Sequence, residues 1–237
     1  MICTTLNIRG LGGTGKRRSL RNFLSGSDTQ VLFLQETMIS ASTAIELFLL
    51  IRPHWHVFAL DSLGLSGGIL TAWDPNFGDF QVFSTVVGLL VEGFMRGFDE
   101  KIRFLNIYAP YRERLPFWKK VESSGILLLG NLFLGGDLNM TLGVAEVWGG
   151  SSLEDPLSGY FKELFINTNL VDISLANLAP TWRNGHLGQD RVAKRLYRFL
   201  VSSVLVDRLG HYHCWNSYDY ISDHLSVSLQ VDWCVFV

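Results

Sequence analysis

Three short stretches of the 237-residue chain carry side chains that could act together on a phosphate. In Phe33-Leu34-Gln35-Glu36-Thr37 an apolar run of strand length stops at a carboxylate. Strand ends in open α/β sheets are where ligands bind, so Glu36 is a candidate oxygen ligand for a hard cation. Its bland alternative is the start of a solvated loop. In Leu134-Gly135-Gly136-Asp137-Leu138-Asn139, the residues Asp137 and Asn139 stand two apart. They can point the same way and share a phosphate and its water, while the two glycines let the backbone pass close to another group. Gly-Gly-Asp is also ordinary turn chemistry. Ser222-Asp223-His224 precedes a last apolar run. A His is the natural general base near neutral pH, and an adjacent Asp can bind metal or tune it.

A fourth stretch, Gly10-Leu11-Gly12-Gly13-Thr14-Gly15-Lys16, fits G-x-x-x-x-G-K. Arg17 stands where the Mg²⁺-binding hydroxyl of a phosphate loop belongs. The stretch is therefore a turn into a basic helix start, with Lys16, Arg17, Arg18 and Arg21 exposed, and no nucleotide cofactor is expected. His211 and His213 alternate along a strand-like run as packing or surface residues, and His54, His56 and His186 carry no motif. There is no G-x-S-x-G and no Cys at a helix start, which leaves acyl chemistry little support.

The elements that must hold these residues are short. Ile2–Leu6, Val31–Leu34, His56–Leu60, Gly68–Trp73, Phe80–Val87, Leu89–Met95, Ile102–Ile107, Leu132–Leu134, Tyr197–Val201 and Leu225–Val231 have strand length and are rich in β-branched and aromatic residues. Amphipathic stretches at Gly15–Ser25, Ser42–Ile51, Arg112–Ser123 and Pro156–Asn167 predict helices. The alternation predicts α/β layers with sheets inside and helices outside. An internal echo is present: Leu6-Asn7-Ile8 and Leu105-Asn106-Ile107 each close a strand, and each is followed by a helix and a second strand ending in a carboxylate. Glu36 lies 29 residues after Asn7 and Asp137 lies 31 after Asn106, which predicts two related halves.

With 48% hydrophobic residues and a net charge of −2, the chain is neither disordered nor supercharged, so affinity for a polyanion must come from local patches. The three cysteines, Cys3, Cys214 and Cys234, lack metal or redox spacing and are expected to be buried thiols in a reducing compartment. No signal peptide, membrane span or interdomain linker is read. The expectation is one continuous domain over residues 1–237, intracellular, nuclear or cytoplasmic.

Asn7-Ile8-Arg9-Gly10, Leu34-Gln35-Glu36-Thr37, Asn106-Ile107-Tyr108-Ala109-Pro110, Gly135-Gly136-Asp137-Leu138-Asn139, Thr181-Trp182, Arg198-Phe199-Leu200-Val201-Ser202 and Ser222-Asp223-His224 occur in one order across nearly the whole chain. Together they resemble the endonuclease/exonuclease/phosphatase family. Asn7-Ile8-Arg9-Gly10-Leu11-Gly12, Phe117-Trp118 and Thr181-Trp182-Arg183-Asn184 are most similar to the endonuclease domain of plant LINE-type retrotransposons.

That resemblance implies a deoxyribonuclease I-like, four-layered α/β sandwich, two facing mixed β-sheets covered by helices. It further implies a phosphodiesterase that acts on DNA with Mg²⁺ or Mn²⁺. Glu36, assisted by Asn7 and Asp223, would hold the metal. Asp137 and Asn139 would position water and phosphate, Tyr108 would lie beside the phosphate, and His224 would contact it or act as base. All should cluster at one end of the sheets, with the carboxylates of Glu36 and Asp137 within about 10 Å of each other.

Trp182, Arg183, Arg195 and Arg198 are expected to grip DNA. The segment from Arg183 to Arg208 holds six basic residues against Asp190 and Asp207, a local +4 that suits phosphate contacts. Three positions depart from the family pattern. Leu6 stands for Trp, Ser226 for Pro, and Tyr197 for the Asp of Arg-Leu-Asp-Arg-Phe, the residue that would orient and charge the motif His. His224 is therefore expected to lose its partner. In a serine-protease triad such a loss costs about 10⁴ in turnover. The rival readings are an inactive relic that binds nucleic acid weakly and a phosphatase of the same fold.

Overall fold

The computed structural model describes residues 1–63, 66–150, 153–186, 188–217 and 222–233; Cys234, expected to be a buried thiol, lies outside them. Strands β1 (Ile2–Asn7), β2 (Val31–Gln35), β3 (His56–Leu63), β4 (Ser66–Trp73), β5 (Gly78–Ser84), β6 (Gly88–Met95), β7 (Lys101–Tyr108) and β8 (Leu132–Asp137) come first. They are followed by β9 (Val147–Trp148), β10 (Leu170–Asp172), β11 (Trp182–Arg183), β12 (Ala193–Lys194), β13 (Tyr197–Ser202), β14 (Leu209–Ser217) and β15 (Ser226–Trp233). The helices are α1 (Thr14–Ser25), α2 (Ala41–Leu49), α3 (Arg114–Ser123), α4 (Ser158–Asn167) and the single turn α5 (Ser203–Val206). Each strand and helix expected from the sequence forms, with ends moved by one to three residues.

The strands make two six-stranded sheets, β14-β15-β1-β2-β4-β3 and β10-β13-β8-β7-β6-β5, and a small third sheet, β11-β12-β9. Each large sheet is mixed through one parallel pair, β1 with β2 and β7 with β8. The internal echo is realised as these two strand–helix–strand units, one per sheet.

Alternation along the strands builds three apolar layers. In β2, Val31 and Phe33 turn toward the facing sheet and meet Phe104, Phe133 and Phe199, while Leu32 and Leu34 turn outward. The outward face of the first sheet packs on Leu20 and Leu24 of α1 and Phe48 of α2. The outward face of the second packs on Trp118 of α3 and on Phe161 and Leu164 of α4. Each fully buried side chain of this kind contributes roughly 1.5–3 kcal/mol, so the layers set the register firmly. Ser40 starts α2 by accepting a hydrogen bond from the Thr43 amide at 3.3 Å.

The same alternation carries polar residues to one end of the seam between the sheets. Thr5 and Asn7, one step past Cys3, share its inward face, and Gln35, Asn106, Asp137 and Tyr197 continue the inward faces of their strands. The buried Gln35 amide donates to Thr5 Oγ1 at 3.0 Å and to Asn106 Oδ1 at 2.7 Å, and Asn106 Nδ2 donates to the Leu70 carbonyl at 3.0 Å. This pairing satisfies polar groups that would otherwise destabilise the interior.

Gly135 and Gly136 serve this packing rather than a ligand. A Cβ on Gly136 (φ +150°) would meet the Ile107 carbonyl oxygen at 1.8 Å, and one on Gly135 would meet the Phe199 ring at 2.6 Å. Gly136→Ala should therefore lower unfolding free energy by about 3 kcal/mol or more in urea titration, because the obstructing atom is backbone.

Candidate active site

Strand ends and the loops that follow them carry the candidate residues, and in those loops Arg9 (φ 47°), Glu36 (φ 52°) and Asn139 (φ 47°) hold left-handed backbone. Each such residue costs roughly 1–3 kcal/mol, which the surrounding bonds must offset. Gly10 N donates to the Glu36 carbonyl at 2.8 Å, Leu11 N to Thr37 O at 2.9 Å, and Arg9 N to Asn7 Oδ1 at 3.1 Å. Asn139 is fixed by its side-chain amide, which donates to Ala109 O at 2.7 Å.

The structure brings Asn7, Glu36, Tyr108, Asp137, Asn139 and His224 together. Asn7 Nδ2 donates to Glu36 Oε1 at 2.7 Å and to Asp137 Oδ2 at 3.2 Å, joining carboxylates that belong to opposite sheets. Tyr108 Oη donates to Glu36 Oε1 at 2.7 Å, and the Asn139 amide to Asp137 Oδ1 at 3.3 Å. Glu36, Asp137 and His224 each offer a ligand atom, and these lie within 4.8 Å of one another. Two carboxylates with an imidazole form a donor set that fits a hard divalent cation. Asn7 shows them its amide N–H groups, while its Oδ1 accepts from the Arg9 amide at 3.1 Å. Asp223 is not one of the three converging residues, although its Oδ1 lies 4.0 Å from His224 Nε2; its Oδ2 is held by Arg9 Nη1 at 2.5 Å. Arg9, Glu36, Tyr108, Asp137, Asn139, Trp182 and His224 all line one open pocket.

Electrostatics follow from burial. Asp137 is 1% exposed, and burial pushes its carboxyl up to about 7, although hydrogen bonds from Asn7 and Asn139 oppose the shift. Burial, reinforced by the hydrogen bond to Glu36, raises the Tyr108 phenol above its ordinary range. The His224 imidazole is lowered well below 6.5, chiefly by burial, which outweighs the nearby charges of Asp223 and Glu36. Its Nδ1 lies 3.1 Å from Tyr197 Oη, which in turn lies 3.4 Å from Asp137 Oδ2. The partner of His224 Nδ1 is therefore a phenol that also touches Asp137. Burial, with the charges of Asp137 and Glu36, raises the Tyr197 phenol as well, so it stays neutral.

His224 is positioned from two sides. Its backbone bridges Trp182 of β11, and the Ser222 hydroxyl accepts from its amide at 3.0 Å while donating to Asn7 O at 2.8 Å. Thr181 Oγ1, which drew no notice in the sequence beyond its place in a motif, accepts from the Leu196 and Tyr197 amides at 2.8 and 3.1 Å and so joins β11 to β13.

No protein-family model and no curated protein matches the chain. Solved structures do. The endonuclease domain of TRAS1, a telomere-specific non-LTR retrotransposon, is 16% identical with a TM-score of 0.70, over 99% of both chains. A 3'-5' exonuclease from Neisseria meningitidis is 17% identical with a TM-score of 0.73, over 98% of this chain and all of its own. An AP endonuclease from Leishmania major is 17% identical with a TM-score of 0.74, over 98% of this chain and 87% of its own. The chain has the deoxyribonuclease I-like fold. At these identities the likeness is one of fold, and it agrees with the architecture that the motifs implied.

Within that fold, two of the four residues expected to grip DNA are elsewhere. Arg195 and Arg198 are 3% and 0% exposed. Arg195 pairs with Glu146 at 2.8 Å and Asp172 at 2.8 Å, and Arg198 with Asp172 at 2.5 Å and with Glu146. The four charges cancel inside the protein, so these arginines anchor β13 to β10 and to the turn before β9, and the local +4 overstates the surface charge. Burial raises the Glu146 carboxyl, but hydrogen bonding and charge from Arg198 more than offset it. At the basic start of α1, Arg18 and Arg21 are exposed as expected, while Lys16 and Arg17 are half-buried: Lys16 Nζ donates to Ile8 O and Arg9 O at 2.6 and 2.5 Å, and Arg17 to Gly12 O. Trp182 and Arg183 remain half-buried beside the pocket, with Arg183 N donating to Asp223 O at 3.3 Å.

Two outcomes follow. Asp172→Ala leaves buried guanidinium charge uncompensated and should cost about 3–5 kcal/mol in urea unfolding. Because the raised Asp137 carboxyl disfavours the charged form on folding, it makes metal-free protein lose stability as pH rises from 3.8 to about 7. The lowered His224 acts in the opposite sense, opposing folding as pH falls below 6.5. Unfolding in chelator across this range should therefore shift in favour of Asp137→Asn relative to the parent by roughly 4 kcal/mol as pH rises. A difference that does not change with pH would contradict the buried-carboxyl account.

Proposed function

We propose that the chain is a divalent-metal-dependent phosphodiesterase that nicks DNA, of the kind retrotransposons carry. The observation that supports this reading best is the convergence of Glu36, Asp137 and His224 ligand atoms within 4.8 Å at the mouth of an open pocket. Glu36 and Asp137, with His224, would hold Mg²⁺ or Mn²⁺, which when bound supplies neutralisation of charge gathering on the phosphate.

The remaining steps belong to the chain's own residues. Asp137, oriented by Asn7 and by the Asn139 backbone amide, stands where a carboxylate can take a proton from the attacking water. Tyr108 stays protonated and can donate its hydroxyl hydrogen to a phosphate oxygen in place of Glu36. Asn139 faces the same pocket and fixes the phosphate. His224 is neutral, so the ring nitrogen that Tyr197 does not occupy can offer its lone pair to the metal. Trp182, Arg183 and the pocket-lining Lys194 hold the flanking strand. DNA as substrate accords with the fold neighbours, among them a 3' phosphatase from Neisseria bound to a product DNA hairpin.

The test is nicking of supercoiled plasmid with Mg²⁺ or Mn²⁺. Asp137→Ala should lower the rate by at least about 10²-fold, the range a positioned acid–base group contributes. Nicking that survives this substitution contradicts the assignment. One observation favours a second reading, a nucleic-acid-binding relic with little turnover: the phenol of Tyr197 orients His224 without lending it negative charge. Salt-sensitive duplex binding without nicking by the parent protein would select that reading.

A further inference from the structure

Arg9 lies two residues beyond Asn7 in the loop between β1 and α1, and the loop aims it back at the carboxylates. Its backbone is left-handed (φ 47°), its amide is held by Asn7 Oδ1 at 3.1 Å, and its carbonyl by Lys16 Nζ at 2.5 Å. The guanidinium then spans two acids, with Nη1 at 2.5 Å from Asp223 Oδ2 and Nε at 3.7 Å from Glu36 Oε2. A long cationic side chain is fixed at both backbone ends and laid across the outer oxygens of the cluster, while the inner oxygens face Asn7 and Tyr108.

We infer that Arg9 is a tethered cation that competes with the divalent metal for Asp223 and for the outer oxygen of Glu36, and so sets the metal affinity of the site. The inference rests on reading Glu36, Asp137 and His224 as the metal position. Like charges so close repel, and a carboxylate already engaged by a guanidinium has fewer lone pairs to give. Arg9 thus withholds Asp223 from the metal, which accounts for its standing apart from the three ligand-bearing residues.

The experiment is Mn²⁺ titration by calorimetry and by the loss of free Mn²⁺ signal in electron paramagnetic resonance, at low salt. The proteins are the parent, Arg9→Gln, Arg9→Lys, Asp223→Asn and the double variant Arg9→Gln/Asp223→Asn, each checked for folding by thermal unfolding. Arg9→Gln should bind Mn²⁺ about ten-fold tighter than the parent, as expected for removing a cation within a few ångströms of the site. Arg9→Lys, which keeps the charge, should stay within about two-fold. The gain from Arg9→Gln should shrink to about three-fold or less when Asp223 is already Asn, because the released ligand is then missing. If the parent binds Mn²⁺ and Arg9→Gln binds it no tighter, or if the gain persists undiminished without Asp223, the inference fails while the metal reading stands. If neither the parent nor Arg9→Gln binds Mn²⁺ while both are folded, the metal reading fails and the inference with it.

Discussion

At the polar end of the seam between the two sheets, one side-chain amide bonds to carboxylates of both. Asn7, the last residue of β1, donates to Glu36 of its own sheet and to Asp137 of the other. An ionised carboxylate buried as deeply as Asp137 is costly, and the cost is tolerated only where donors converge on it. Asn7, the Asn139 amide and the Tyr197 hydroxyl are those donors, and each comes from a different part of the chain. The strand register that delivers Asn7, Tyr108, Asp137 and Tyr197 to one place is in turn held by the aromatic layer of Phe33, Phe104, Phe133 and Phe199 beneath them. The site is thus the polar end of the core.

Much of this was legible in the chain because a strand's alternation continues past its apolar residues. The inward face that starts at Cys3 in β1 and at Phe133 in β8 reaches Asn7 and Asp137 by steps of two, and motif order puts both at the same end. The roles of Arg195 and Arg198 could not be read in this way. Their partners, Glu146 and Asp172, lie in separate turns and strands, and nothing local separates a buried guanidinium from one that faces solvent. Gly135 and Gly136 do admit a close approach as expected, but the groups admitted, the backbone of β7 and the ring of Phe199, are distant in sequence and could not be named from it. The two-residue strands of the small third sheet are too short to carry any period, yet β11 fixes His224. Arg9 stood in a quoted motif without a role. The signal that could have found it is a cation placed two residues after the amide that binds both acids.

Tyr197 ties Asp137 and His224 into one chain of hydrogen bonds. Environments that push titratable groups in opposite directions assign them to opposite roles. Here a carboxyl is raised and an imidazole lowered across one shared hydroxyl, so that near pH 6 the metal-free site carries its proton on Asp137 and not on His224. A divalent cation would displace that proton and leave His224 neutral. The Tyr197 phenol orients the ring through Nδ1, and the charges of Asp223 and Glu36 oppose the burial that lowers the imidazole.

The claim on which the rest turns is that one cation position lies between carboxylates of the two sheets. Anomalous diffraction at the manganese edge from crystals grown with Mn²⁺ tests it most directly. A peak in direct contact with oxygens of both Glu36 and Asp137, with Asn7 still bonded to the carboxylates, is the predicted result. A peak only at Asp223, or none near Asp137 at saturating Mn²⁺, would contradict it.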